Sequence, residues 1–242
     1  MILLVIDTSL QGAMLGLAKL EGKTYDILEL YGSNHPQEAA ARLPELCNSL
    51  LAKQGLGLKD LGGLLVSNGP GSFTGIKIGL SFASGWKRAG TPIKIWCVSS
   101  FKALLKQREN GNVLLLPATQ TAGYLTLRNP DGEPRIGVID LGLTAVASLF
   151  DEASQTLRPL NPAALSKVEI LGSWPRLEEW LRSCGIEWKA LETENLYRSV
   201  VAGMIEEFVA KSNELSEGNL MPIYLRKSAP EEKLDNLAKA NN

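Results

Sequence analysis

Apolar residues fill every position from Ile2 to Ile6, and the run stops at Asp7. A continuous Ile/Leu/Val run ended by a polar residue predicts a strand buried on both faces. Thr8–Gly12 reads as a turn, Ala13–Leu20 as a second strand, Glu21-Gly22-Lys23 as another turn and Thr24–Leu30 as a third strand. Three strands joined by short turns form an antiparallel meander. From Pro36 the period changes: Ala39, Leu43, Leu46, Cys47, Leu50 and Leu51 recur at steps of three and four. That spacing predicts an amphipathic helix, with Pro36 at its first position and a kink at Pro44. Gly63–Ser67 then predicts a buried strand, Asn68–Ser72 a sharp turn, Phe73–Lys87 a helix and Ile93–Val98 a strand. Ser99 or Ser100 can cap a further helix through Phe101, Leu104 and Leu105. The order β-β-β-α-β-α-β-α predicts a ribonuclease-H-like lobe, with the later strands parallel to the first.

The pattern weakens in the second half. Val113–Leu116, Gly123–Leu127 and Ile136–Ile139 read as strands, and Asn129-Pro130-Asp131-Gly132 as a turn. Leu143–Phe150 fits a helix and a strand equally. Val168–Leu171 is a further strand, and Trp174, Leu177, Trp180 and Leu181 mark an amphipathic helix. A long helix at 195–212 carries Leu196, Val200, Met204, Ile205, Phe208 and Val209 on one side. The expected division is a first lobe over 1–108 and a reduced copy over 109–230 whose long helix packs back on the first. A polar tail follows over 231–242.

Composition narrows the function more than the fold. The 242 residues are 45% hydrophobic and 21% charged, with a formal net charge of -1. A chain that grips a nucleic-acid backbone unaided usually shows a basic excess, so a role on RNA is expected to be indirect. Cys47, Cys97 and Cys184 lie far apart and form no C-x-x-C pair, which fits small buried residues in a reducing compartment. No apolar run reaches the roughly 18 residues that span a membrane, and the N-terminus lacks the pattern of a secretory signal. The expected location is the cytoplasm. His35 is the single histidine, so a two-histidine zinc site cannot be built, and a triad would have to use a residue that precedes Pro36.

The densest candidate chemistry is Ser67-Asn68-Gly69-Pro70-Gly71-Ser72-Phe73-Thr74-Gly75, between a strand and a helix. Backbone N–H groups at a helix start can hold an anion, and glycine lets a ligand approach. The segment is neither a Walker A loop nor G-x-G-x-x-G, and it fits a tight turn and a phosphate cradle equally well. Asp7-Thr8-Ser9, at the first strand's end, stands where actin-like proteins hold a metal–phosphate group, and also fits an ordinary turn. Within the helix, Gly75, Gly79 and Ala83 fall four apart. Two interior glycines cost about 1 kcal/mol each relative to alanine, so this ridge predicts close approach by a helix of the same chain or of another.

Three segments together resemble the TsaB (YeaZ) family: Ile6-Asp7-Thr8-Ser9, Gly69-Pro70-Gly71-Ser72-Phe73-Thr74-Gly75 with Lys77-Ile78-Gly79, and Pro222-Ile223-Tyr224-Leu225-Arg226. The likeness is close over 1–105, returns at 195–226 and is thin between. The resemblance implies an α/β, two-lobed actin/Hsp70-like (ribonuclease-H-like) fold with a reduced second lobe. It also implies a non-catalytic scaffold that docks the paralogue TsaD in making N6-threonylcarbamoyladenosine on tRNA, beside the anticodon. A TsaE-like ATPase is the implied further partner, a homodimer the implied state when alone, and contact with tRNA indirect. No metal and no cofactor are implied, with Asp7, Thr8, Ser9, Gly69, Gly71 and Ser72 as remnants of phosphate loops that could retain weak nucleotide binding. The family's contacts map onto Leu43, Leu46, Cys47 and Leu50 of one helix and Gly75, Gly79 and Ala83 of the next. Where the family commonly shows Asp-Ala-Arg after the second lobe's first strand, this chain has Pro117-Ala118-Thr119-Gln120-Thr121. The alternative is a small ATP-dependent kinase or ATPase of the same superfamily, using Asp7 with Mg²⁺.

Overall fold

The structure is a computed structural model describing residues 1–10, 12–33, 35–108, 113–128, 132, 134–141, 146–151, 156–159, 161, 165, 167–191 and 193–225. The expected turn at Asn129–Asp131, Arg226 and the expected tail lie outside the described residues.

The first sheet is built as the apolar runs require. Strands β1 (Ile2–Asp7), β2 (Ala13–Glu21) and β3 (Thr24–Ser33) form the meander. β4 (Leu61–Ser67) lies parallel to β1, and β5 (Lys94–Val98) parallel to β4, in the order β3-β2-β1-β4-β5. Helices α1 (Pro36–Lys53) and α2 (Phe73–Arg88) cover one face. α1 starts on Pro36 and runs through Pro44, which sits on its exposed side. Leu43, Leu46, Cys47, Leu50 and Leu51 enter a core with Leu4, Ile6, Leu15, Leu64, Ile76 and Ile95.

The second sheet repeats that order with an addition. Strands β6 (Val113–Pro117), β7 (Ala122–Arg128) and β8 (Pro134–Asp140) make the meander, and β11 (Val168–Ile170) and β12 (Trp188–Ala190) lie parallel beside β6. β9 (Val146–Asp151) and β10 (Thr156–Pro159) extend the far edge, giving β10-β9-β8-β7-β6-β11-β12. Residues 146–150, which fitted helix and strand equally, are therefore strand: β9 pairs antiparallel with β8 and satisfies its open edge. β10 and β12 are too short to show a period, so neither is legible from pattern. α4 (Pro175–Ser183) packs Leu177 and Leu181 under this sheet with Trp174 and Val168.

α3 (Ser100–Lys106) and α5 (Thr193–Lys211) lie between the two sheets. α3 packs against β7 and β8, whereas α5 crosses back onto β1, β2 and β3. One apolar cluster therefore runs from Leu3 and Val5 through Phe101, Leu104, Val200 and Met204 to Leu114 and Leu116. This shared core packs the two sheets against each other through α3 and α5. No helix among the described residues is long and apolar enough to cross a membrane.

Candidate functional site

The strand ends of β1 and β4 meet the start of α3 at Asp7, which has no exposed surface. A buried carboxylate must be hydrogen-bonded, and this one is. Its Oδ1 accepts from the backbone N–H of Ser9 at 3.2 Å and of Leu10 at 3.1 Å. Its Oδ2 accepts from Ser9 Oγ at 2.7 Å and Ser100 Oγ at 2.5 Å. Ser67 Oγ closes the ring, 2.9 Å from both serine hydroxyls. Ser67 was expected only as the start of the glycine-rich segment and Ser100 only as a possible helix cap, a place that Ser99 takes; their meeting with Asp7 is a tertiary result.

The glycine-rich turn lies directly on that knot. Ser72 N–H donates to the Ser9 carbonyl at 2.7 Å, and Thr8 Oγ1 donates to the Gly75 carbonyl at 2.6 Å. A Cβ on Gly71 would collide with the Ser9 carbonyl, and one on Gly75 with the Thr8 carbonyl. Ser72 Oγ caps α2 by accepting from Gly75 N–H at 3.2 Å. Gly69 has φ +97, its peptide with Pro70 is cis, and Ile76 crowds it. The cradle expected of Gly69, Gly71 and Ser72 is thus filled by Thr8 and Ser9 of the same chain. Asp7, Thr8 and Ser9 are 0%, 5% and 0% exposed and face protein, not solvent, whereas Ser72 stays exposed at the start of α2. Glycine is needed here because two backbones touch, not because a ligand enters.

The expected partner surface also needs correction. Leu43, Leu46, Cys47, Leu50 and Ala83 are each no more than 4% exposed, and all lie in the core under the first sheet. Gly75 and Gly79 face Thr8, with Gly79 also against Val66. The two glycines let α2 approach the ends of β1 and β4, so the close neighbour is a strand end of the same chain and not the expected helix. Burial also pushes the Cys47 thiol up to about 12, which makes it an inert core residue.

The outer sides of α1 and α2 are what these helices leave open. A shallow groove of about 360 Å³ runs between them, lined on α1 by Pro44 and the edge of Leu43 and on α2 by Thr74, Lys77, Ile78, Ser81 and Phe82, so one of the expected α1 contacts, Leu43, does reach it. Residues 216–225 follow α5 as a strap that passes β5 and the Asn68 turn to the start of α2. Gly218 N–H donates to the Ile95 carbonyl at 2.7 Å, and Lys87 Nζ to the Gly218 carbonyl at 3.0 Å. Asn68 Nδ2 donates to the Met221 carbonyl at 3.0 Å, and Ile223 N–H to the Asn68 carbonyl at 2.8 Å. Tyr224 then stacks on Phe73, with ring centroids 4.9 Å apart. The three segments that carry the sequence resemblance therefore meet in one place: Asp7–Ser9 beneath, Gly69–Gly75 in the middle, Pro222–Leu225 on top.

Comparison with known proteins points to the same family for part of the chain. Residues 22–129 match the family described as TsaD, tRNA N6-adenosine threonylcarbamoyltransferase. The Haemophilus influenzae tRNA threonylcarbamoyladenosine biosynthesis protein TsaB is 36% identical over 83 residues, 34% of this chain and 33% of that protein. The Escherichia coli protein of the same name is 30% identical over 118 residues, 48% of each. The chain it resembles is TsaB, also called YeaZ. It spans only a third to about half the length of these TsaB relatives. Solved structures extend the likeness in shape to nearly the whole chain. YeaZ from Pseudomonas aeruginosa superposes with a TM-score of 0.58 at 19% identity, covering 92% of this chain and all of that one. A second structure, of an uncharacterized protein with similarity to peptidase YeaZ from Pseudomonas aeruginosa, gives 0.59 at 20%, covering 93% and 99%. The fold is the two-lobed actin-like, ribonuclease-H-like one.

Proposed function

We propose that this chain is a non-catalytic scaffold subunit of the cytoplasmic machinery that makes N6-threonylcarbamoyladenosine next to the tRNA anticodon. In this reading it docks a TsaD-like paralogue through the outer faces of α1 and α2, works beside a TsaE-like ATPase and meets tRNA only through its partners. The names of the H. influenzae and E. coli relatives support the pathway. One observation carries the scaffold role: the strand-end site where actin-like enzymes act on phosphates is packed shut here by Thr8, Ser9 and the Gly69–Gly75 turn. Nothing in the geometry favours the small-kinase alternative, which needs Asp7 open to Mg²⁺ and ATP.

The test reconstitutes modification with the cognate TsaD-like paralogue, the TsaE-like ATPase and unmodified tRNA, and reads the modified nucleoside by mass spectrometry. Product should require this chain together with the paralogue. Product formed equally well without the chain, or by the chain alone, would overturn the proposal. Calorimetry of the isolated chain with ATP and Mg²⁺ should show no binding; micromolar affinity would restore the kinase reading.

A further inference from the structure

The two lobes meet through apolar side chains, and apolar attraction has no preferred direction. It holds α3 and α5 together without fixing the angle between the sheets. The directional contacts gather at one point, the carboxy-terminal end of α3. There Lys106, Gln107 and Arg108 are consecutive, and each binds a different carboxylate. Lys106 Nζ pairs with Glu207 of α5 at 2.7 Å, and Lys211 pairs with the other oxygen of Glu207 at 3.3 Å. Gln107 Nε2 donates to Glu206 Oε2 at 2.5 Å, and Glu206 Oε1 accepts from the Tyr25 hydroxyl on β3 at 2.8 Å. Arg108 reaches the second sheet instead. Its Nε donates to Glu169 Oε2 on β11 at 2.8 Å, and Lys189 of β12 pairs with Glu169 Oε1 at 2.9 Å. From β7, Arg128 Nη2 donates to the Leu105 and Arg108 carbonyls at 2.8 and 3.2 Å. A chain of polar contacts therefore runs from the edge strand β3 of one sheet to the edge strand β12 of the other.

Packing beside this point leaves room for movement. A cavity of about 590 Å³ adjoins it, lined among others by Gln107, Arg108, Glu169, Trp188 and Lys189. The chain passes from lobe to lobe here, after α3, and again between β12 and α5. Two crossings beside a cavity make a hinge unless side chains hold it. The side chains present resist opening, because Glu169 and Glu207 are 3% and 8% exposed and a lost partner would leave a buried charge.

We infer that Lys106-Gln107-Arg108 is a clasp that fixes the angle between the two lobes, and that without it the lobes turn about the α3–β6 and β12–α5 connections. In the scaffold reading, a fixed angle presents both lobes to a partner as one preformed surface and spares ordering on binding. The clasp belongs to the chain itself and stands whether or not that reading does.

Spin labels on Cys184, in the second lobe, and on a Lys23→Cys substitution in the β2–β3 turn of the first read the distance between lobes by double electron–electron resonance. Burial pushes the Cys47 and Cys97 thiols up to about 12, so both stay unlabelled at neutral pH. A second label pair, Cys184 with Arg135→Cys on β8, reads a distance within the second lobe. One clasp variant combines Arg108→Met with Glu169→Leu, which removes both buried charges together and so preserves the fold. The other combines Gln107→Ala with Glu206→Ala, at the exposed side of the clasp. Thermal melts follow folding.

The full-length chain should give one narrow distance between lobes. Arg108→Met with Glu169→Leu should widen that distribution at least about twofold, and Gln107→Ala with Glu206→Ala about one and a half times. The distance within the second lobe should stay narrow throughout. A between-lobe distribution as narrow in every folded variant as in the wild type overturns the inference, and the Gln107/Glu206 variant decides alone if the other does not fold. A broad distribution in the wild type also overturns it, as does equal widening of the distance within the second lobe.

Discussion

After β1 the first sheet closes its strand end with Asp7, Ser9, Ser67 and Ser100; after β6 the second sheet closes the corresponding end with Thr119 and Trp174. In the second sheet the hairpin is short. Thr119 Oγ1 accepts from Ala122 N–H at 3.0 Å, and Trp174 Nε1 donates to the Gln120 carbonyl at 2.9 Å. The two strand ends share a place in the same strand order, but the connection that folds onto the first touches it through backbone at Gly71 and Gly75, whereas the one that folds onto the second touches it through the Trp174 side chain. A strand order therefore does not carry a binding site with it. What occupies the strand end is decided by the following loop, and here that loop is filled with its own chain.

The lobes also treat buried carboxylates differently. Asp7 is satisfied by hydroxyls and backbone N–H groups, all neutral. Glu169, on β11, is satisfied by cations: Arg108 Nε at 2.8 Å and Lys189 Nζ at 2.9 Å. Burial pushes the Glu169 carboxyl up, and the two cations more than reverse this, leaving it below the ordinary value of 4.5. The first arrangement depends on geometry, the second on charge.

Four substitutions sharpen or break this contrast. Gly75→Val places side-chain atoms against the Thr8 carbonyl, a backbone atom that cannot swing away. It should cost about 4 kcal/mol or more, with soluble folded protein lost in a thermal melt; a variant that folds normally would mean the turn stands off β1 and a cradle exists. Asp7→Asn turns an acceptor toward an amide that must donate into a ring of hydroxyls already arranged to donate. A loss of about 3 kcal/mol in urea unfolding is expected, little changed by salt.

Glu169→Gln should cost about 2 kcal/mol at neutral pH and less in high salt. Because the folded-state pKa is depressed, the wild-type advantage is present above the unfolded value near 4.5 and is lost as pH falls through the folded value. Melts from pH 7 down to about 3 read that window, and a difference that persists at the acid end would argue against the ion-pair account. Gly85→Ala is the smallest effect. Its added Cβ meets nothing within 4 Å, so α2 should gain about 1 kcal/mol in stability, in contrast to Gly75 ten residues earlier on the same helix.

The amino-acid sequence was enough to determine the first sheet, because β1 and β4 are continuous apolar runs and the turns beside β1, β2 and β4 carry glycine. It determined α1, α2 and α5, whose periods are long enough to read, and the family resemblance through three short segments. Residue pattern suggested that Gly75, Gly79 and Ala83 meet a helix, but tertiary structure alone decided that the two glycines meet Thr8 at a strand end and that Ala83 enters the core. The stripe of Leu43, Leu46, Cys47 and Leu50 has the same periodicity whether it faces a core or a partner. Periodicity reports that a face is apolar, and only packing reports what covers it. The Asp7 ring was equally hidden, since Ser9, Ser67 and Ser100 are brought together from residues up to 93 positions from Asp7 by a parallel crossover that no local pattern encodes.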